Sequence, residues 1–151
     1  PFFVFGQSAF AEGVGERLRP LPLAPAWYVV IEPGVSVRTA DIFADARLTR
    51  NTEPIKITDF SASCDRSEDV RAALRNDLEP IVCQDYPDVA AAREWLAQYG
   101  PARMSGSGSC VFAVFASADE ARRVAGWVPN GWRAWAARGL DEHPLMGFAE
   151  A

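Results

Sequence analysis

Met104-Ser105-Gly106-Ser107-Gly108-Ser109-Cys110-Val111-Phe112-Ala113-Val114-Phe115 runs from a loop of small residues straight into an apolar segment. The β-branched and aromatic residues of 111–115 read as a strand. The two glycines permit backbone angles that other residues resist, and a run of such N–H groups forms a concavity suited to an anion. No Gly-Lys-Ser/Thr follows, as a Walker loop requires, and a strand rather than a helix comes next, so a dinucleotide fingerprint is excluded. By position alone, Gly106, Ser107, Gly108 and Ser109 equally suit a tight turn before a strand.

Working outward, Ser117 is placed to cap a helix through Ala125, and Trp132 to Arg138 reads as a last strand. Upstream, Asp88 starts a helix whose Val89, Ala92, Trp95, Leu96 and Tyr99 share one face, and Gly100-Pro101 ends it. Before that, Ser67-Glu68-Asp69 has capping chemistry for a helix carrying Val70, Leu74, Leu78 and Ile81 or Val82, locally interrupted by Asn76 and Asp77. Mid-helix side chains of that type more often orient helices than form sites. Leu48 to Asp65 is mixed and turn-rich, and is read as a loop.

Trp27-Tyr28-Val29-Val30-Ile31 has no alternation, as expected of a strand buried on both faces, and Glu32-Pro33-Gly34 stops it. Thr39 then stands as the N-cap of a short helix, with Asp41 in its first turn. Ser8 to Leu18 reads as a hairpin around Gly13-Val14-Gly15, and the prolines between Arg19 and Ala26 mark a connection. This order of elements predicts an α+β fold: a mainly antiparallel sheet with helices on one face, nearest to the ferredoxin-like architecture. A boundary falls near residue 25.

A formal charge of -5, with basic residues scattered along the chain, excludes a nucleic-acid partner on electrostatic grounds. No apolar run reaches the roughly 20 residues that span a bilayer, so no membrane is expected. Cys64, Cys83 and Cys110 are odd in number and far apart, and His143 is the one imidazole. Neither a disulfide framework nor a metal site follows, and a reducing, cytoplasmic location is the simplest inference. His143 reads as a surface residue, and the five tryptophans as core or interface material.

Four separated stretches, in order, resemble one group of enzymes. Arg103 to Ala113 is similar to the third glycine motif of the GHMP small-molecule kinases, a Ser/Thr-Gly-Ser/Thr-Gly loop before a strand. Pro1 to Gly6 with Ala9 to Glu16, Pro33-Gly34 to Thr39 followed by Ile42-Phe43, and Asn76-Asp77-Leu78-Glu79 are similar to segments of the 4-diphosphocytidyl-2-C-methyl-D-erythritol kinase family within that group. The resemblance covers nearly the whole chain. It implies a ferredoxin-like C-terminal, substrate-side domain over residues 25–151, with residues 1–24 as the tail end of an N-terminal ATP-binding domain. It also implies that Phe43 stacks on the cytosine of the substrate with Thr39 nearby, and that Gly106 to Ser109 lines the cleft between the two domains. Phe43 can equally be the apolar face of a short helix. Ala40 stands where the family often has Pro, which bears on the shape of the base pocket.

The implied reaction transfers the γ-phosphate of ATP, with Mg2+, to the 2-hydroxyl of cytidine diphosphate methylerythritol on the non-mevalonate route to isoprenoid precursors. The family's glycine-rich ATP loop has no counterpart here, and its catalytic Lys and Asp precede the segment that Pro1 matches. The resemblance therefore implies that catalytic residues and the N-terminal kinase domain lie outside the chain, that residues 1–151 alone bind neither cofactor and are inactive, and that an apolar face is left open. Two other readings are a different GHMP kinase, acting on homoserine, mevalonate or a sugar, and a non-catalytic metabolite-binding α+β module. The Thr39 to Phe43 and Asn76 to Glu79 segments speak against the first.

Overall fold

The computed structural model describes residues 2–22, 26–52 and 75–146. Phe2–Phe5 forms a single helical turn (α1), followed by an antiparallel hairpin of β1 (Ala9–Glu12) and β2 (Arg17–Pro20). Gly13 and Gly15 supply the positive φ values, 70° and 95°, that its turn requires. Ladder pairing of Ala9 with Pro20 carries β2 two residues further than the proline pattern suggested. The hairpin is tied to the far end of the chain, where Ser8 N–H donates to the Asp141 carbonyl at 2.8 Å and His143 N–H to the Gly6 carbonyl at 2.7 Å.

The main sheet is fully antiparallel and four-stranded, in the order β4 (Arg103–Met104), β5 (Val111–Phe115), β3 (Trp27–Glu32), β6 (Arg133–Arg138). Val29 and Ile31 face Ala113 and Val111 on one side and Ala136 and Ala134 on the other, so one face of the sheet is a continuous apolar layer. Helix α4 (Pro87–Ala97) packs on β5 over that layer, and α5 (Ala118–Gly126) packs on β3, β5 and β6. Their Val89, Ala92, Leu96, Ala121 and Val124 close the core with Ile81 and Val82 of α3 (Glu79–Asp85).

Among the described residues, helices close only that face of β3. Tyr28 and Val30 point the other way, where they form a half-covered surface with Phe112, Val114 and the exposed Trp135. The unbroken apolar run predicted burial on both faces; the helices cover one. At the end of this surface Arg133 pairs with Glu32 across the strands and lies over the Trp135 ring.

Three helix starts differ from the capping pattern. Ser117 does cap α5, accepting the Glu120 N–H at 3.2 Å. Asp88, however, lies within the first turn of α4, because Pro87 occupies the first position and its fixed φ already suits a helix. Thr39 is likewise the first residue of α2 (Thr39–Ala44) rather than its cap. The third is α3, which begins at Glu79 with Pro80 next; Asn76 and Asp77 lie outside it, just before its start, and the residues ahead of Arg75 lie outside the described ones. Capping residues Ser67 to Asp69, and most of the Leu48 to Asp65 loop, lie outside the described residues. Trp27, Trp95 and Trp132 pack on the core as expected, whereas Trp127 and Trp135 are exposed.

Candidate functional site

The glycine loop turns at one end of the sheet, between β4 and β5. Ser105 N–H donates to the Cys110 carbonyl and Gly108 N–H to the Ser105 carbonyl, both at 2.9 Å, which closes it into a compact bend. Gly106 and Gly108 hold φ values of 55° and 87°. A side chain at Gly108 would also meet Met104, Val82 and Val37 at 3.0 to 3.4 Å, so this glycine is required by space as well as by angle. Among the described residues, no hydrogen bond takes up the N–H groups of Gly106, Ser107 and Ser109.

Helix α2 meets the loop side on. Thr39 Oγ1 and Ser107 Oγ are 2.7 Å apart, so these two candidate residues, 68 positions apart in sequence, share a hydrogen bond. One turn along, Phe43 is 53% exposed and borders an open cleft of about 730 Å³ whose walls include Asn76, Arg103, Ser105, Gly106 and Phe112. An exposed aromatic face next to unsatisfied amides offers a flat ring a stacking partner and an anion a set of donors.

Arginine is the cation of this cleft. Arg50 donates to the carbonyls of Phe43 at 2.8 Å and Asp45 at 3.3 Å, which closes the last turn of α2. Arg75 pairs with Asp77 at 3.0 Å and donates to Thr52 Oγ1 at 2.8 Å. With Arg103 they line one opening, although the sequence had shown only scattered basic residues. Such convergence has no sequence signal, because residues 50, 75 and 103 lie far apart along the chain.

The far end of α2 is stapled to α3. Arg47 bridges Asp45 at 2.6 Å and Asp85 at 2.5 Å and reaches Gln84 at 3.0 Å. Its hydrogen bonds hold the Asp45 carboxyl down at about 2 and also lower that of Asp85. The thiols are quiet by contrast. Burial pushes Cys83 and Cys110 above the usual range, and both are free. His143 is half-buried among exposed neighbours, and its Nδ1 accepts the Leu145 N–H at 3.1 Å. Among the described residues no cluster of three metal-ligating side chains occurs and no helix is long and apolar enough to cross a membrane.

The sequence profile "GHMP kinases C terminal" matches residues 64–133, the span that carries the glycine loop, α4 and α5. Across the chain, 56% of residues are identical to the 4-diphosphocytidyl-2-C-methyl-D-erythritol kinase of Aromatoleum aromaticum, over 98% of this chain and 49% of that protein. The chain carries a GHMP kinase C-terminal domain. A second relative of the same name, from an Azoarcus species, is 51% identical over 99% of the chain and 50% of its own length. A crystal structure of 4-(cytidine 5'-diphospho)-2C-methyl-D-erythritol kinase superposes with a TM-score of 0.73 at 32% identity, covering 91% of this chain and 52% of that one. The chain spans about half the length of these GHMP kinases and carries their C-terminal domain, an α+β unit.

Proposed function

We propose that the chain is the substrate-side part of a kinase that phosphorylates the 2-hydroxyl of 4-diphosphocytidyl-2-C-methyl-D-erythritol from ATP. The observation that carries this reading is the Thr39 to Ser107 hydrogen bond. It brings the Phe43 segment and the glycine loop to one cleft, as a substrate with a base at one end and phosphates further along requires. Similarity to kinases of that name along nearly the whole chain supports the same reading.

In this assignment Phe43 stacks on the cytosine, Thr39 sits beside it, and the amides of Gly106, Ser107 and Ser109 shape the region where phosphate is handled. Phosphoryl transfer depends mainly on placement and charge neutralisation, which preorganised amides supply without reorganising. Residues 1–24 belong to the ATP-binding domain and 25–151 to the substrate domain. ATP and Mg2+ serve the parent enzyme, in the cytoplasm; no ligand to the cation is assigned among the residues described.

An assay of the full reading frame with ATP and the cytidylyl substrate tests the proposal. Phosphorylation dependent on that substrate is expected, and no cytidine-dependent turnover of ATP overturns it. Residues 1–151 alone are expected to be inactive; turnover by them would show that the chain itself carries the catalytic groups.

A further inference from the structure

We propose that Asn76 is a positioning residue that fixes the plane of the Gly106–Ser107 peptide in the glycine loop and so the direction of the Ser107 N–H. This inference rests on the functional reading above and adds a residue to it.

All the hydrogen-bonding capacity needed is present in one amide group. Asn76 Nδ2 donates to the Gly106 carbonyl at 2.7 Å and the Met104 carbonyl at 3.2 Å, while Oδ1 accepts the Leu78 N–H at 3.1 Å. A side-chain amide has two N–H donors and a carbonyl acceptor, and Asn76 uses both kinds at once. Glu79, three residues on, accepts the Met104 N–H at 2.7 Å and holds Arg93 at 2.7 Å through its other oxygen. Both backbone groups of Met104, at the entrance to the loop, are therefore bound by one turn of chain.

The geometry of the peptide group carries the inference. In a trans peptide the C=O and the following N–H point in opposite directions within one plane. Drawing the Gly106 carbonyl onto Asn76 therefore turns the Ser107 N–H away from Asn76. That N–H has no partner among the described residues, and the Ser107 hydroxyl is anchored on Thr39 from the other side. Aspartate at position 76 has nearly the same shape but places acceptors against two carbonyls. The carbonyls repel it, and the peptide plane rotates.

The test compares full-length protein carrying Asn76→Asp, Asn76→Ala or, as a control for lost stability, Val124→Ala in the core beneath α5. Hydrogen exchange of the segment 104–110 is followed by mass spectrometry, and steady-state kinetics and thermal midpoints are measured alongside. For Asn76→Asp, loop exchange rises about tenfold as local protection is lost. Its kcat falls about tenfold to a hundredfold, with KM for the cytidylyl substrate within about threefold, as expected when a group is misaligned rather than lost from binding. Val124→Ala lowers the thermal midpoint but leaves loop exchange and kcat near the wild-type values. Unchanged loop exchange in both Asn76 variants overturns the inference, and so does a kcat that only follows the folded fraction, as in the control. Raised loop exchange in a parent protein that does not phosphorylate the substrate upholds the clamp and overturns the functional reading.

Discussion

Gly106 and Gly108 are two residues apart, share a positive φ, and differ in what surrounds them. Open space lies around Gly106, so alanine there meets only the left-handed backbone penalty, about 1–2 kcal/mol. At Gly108 the same methyl also presses on Met104, Val82 and Val37, three neighbours held by the core. Gly108→Ala is therefore expected to destabilise more than Gly106→Ala, by a further 1–3 kcal/mol or so, as judged by urea denaturation. Equal losses would show that space plays no part. Thr39 has a different weight. Removing its hydroxyl with Thr39→Val deletes one exposed hydrogen bond, which costs about 0.5–1.5 kcal/mol, and its larger expected effect is a raised KM for the cytidylyl substrate. Phe43→Ala should raise that KM further while leaving stability nearly unchanged, because the ring is half exposed. A KM unaffected by Phe43→Ala would remove the stacking role.

At the level of elements, α2 is six residues long and buries only Ile42, too little to hold it in place. Its orientation depends on ties at both ends: Thr39 to the loop and Arg47 to α3. The second tie is pH-dependent. The Asp45 carboxyl is lowered from 3.8 to about 2, chiefly by its side-chain hydrogen bond to Arg47, and Asp85 is lowered for the same reason. Groups with depressed folded values add stability above their unfolded value and lose it as the pH falls through the folded one. The difference in urea midpoint between wild type and Arg47→Gln is thus expected to be present near pH 5 and to shrink as the pH approaches about 2. A difference independent of pH would place the effect of Arg47 elsewhere. Helix α5 depends on a local cap instead, and Ser117→Ala should cost about 1 kcal/mol at any pH in that range.

For the whole molecule, the layer beneath the helices sets stability, and the loop at one end of the sheet together with α2 carries the site. Leu96 is fully buried between α4 and the sheet, and Leu96→Ala is expected to cost about 2–5 kcal/mol without a specific change in KM. Denaturant melts beside kinetics on the same samples check both halves of that statement. Much of this architecture was legible along the chain, because local signals carry it: the strands at 27–31 and 111–115, the helix opened by Ser117, the helix face of Val89, Ala92 and Leu96, and the Gly13-Val14-Gly15 hairpin each follow from neighbouring residues. Local rules failed where a long-range partner competes. Thr39 has the chemistry of a cap, yet its hydroxyl goes to Ser107 across 68 residues; Asn76 and Asp77 look like flaws in a helix, yet Asn76 closes on the glycine loop. Strand β4 is two residues long, too short for any alternation to show. Sequence by itself determined the fold class, the kinase resemblance and the identity of the loop, since side-chain periodicity and turn chemistry act over a few residues. Tertiary contacts alone set which face of the sheet the described helices cover, bring three distant arginines to one cleft with Phe43, and close Asn76 on the loop. Those contacts join elements whose separation in sequence carries no information about their separation in space.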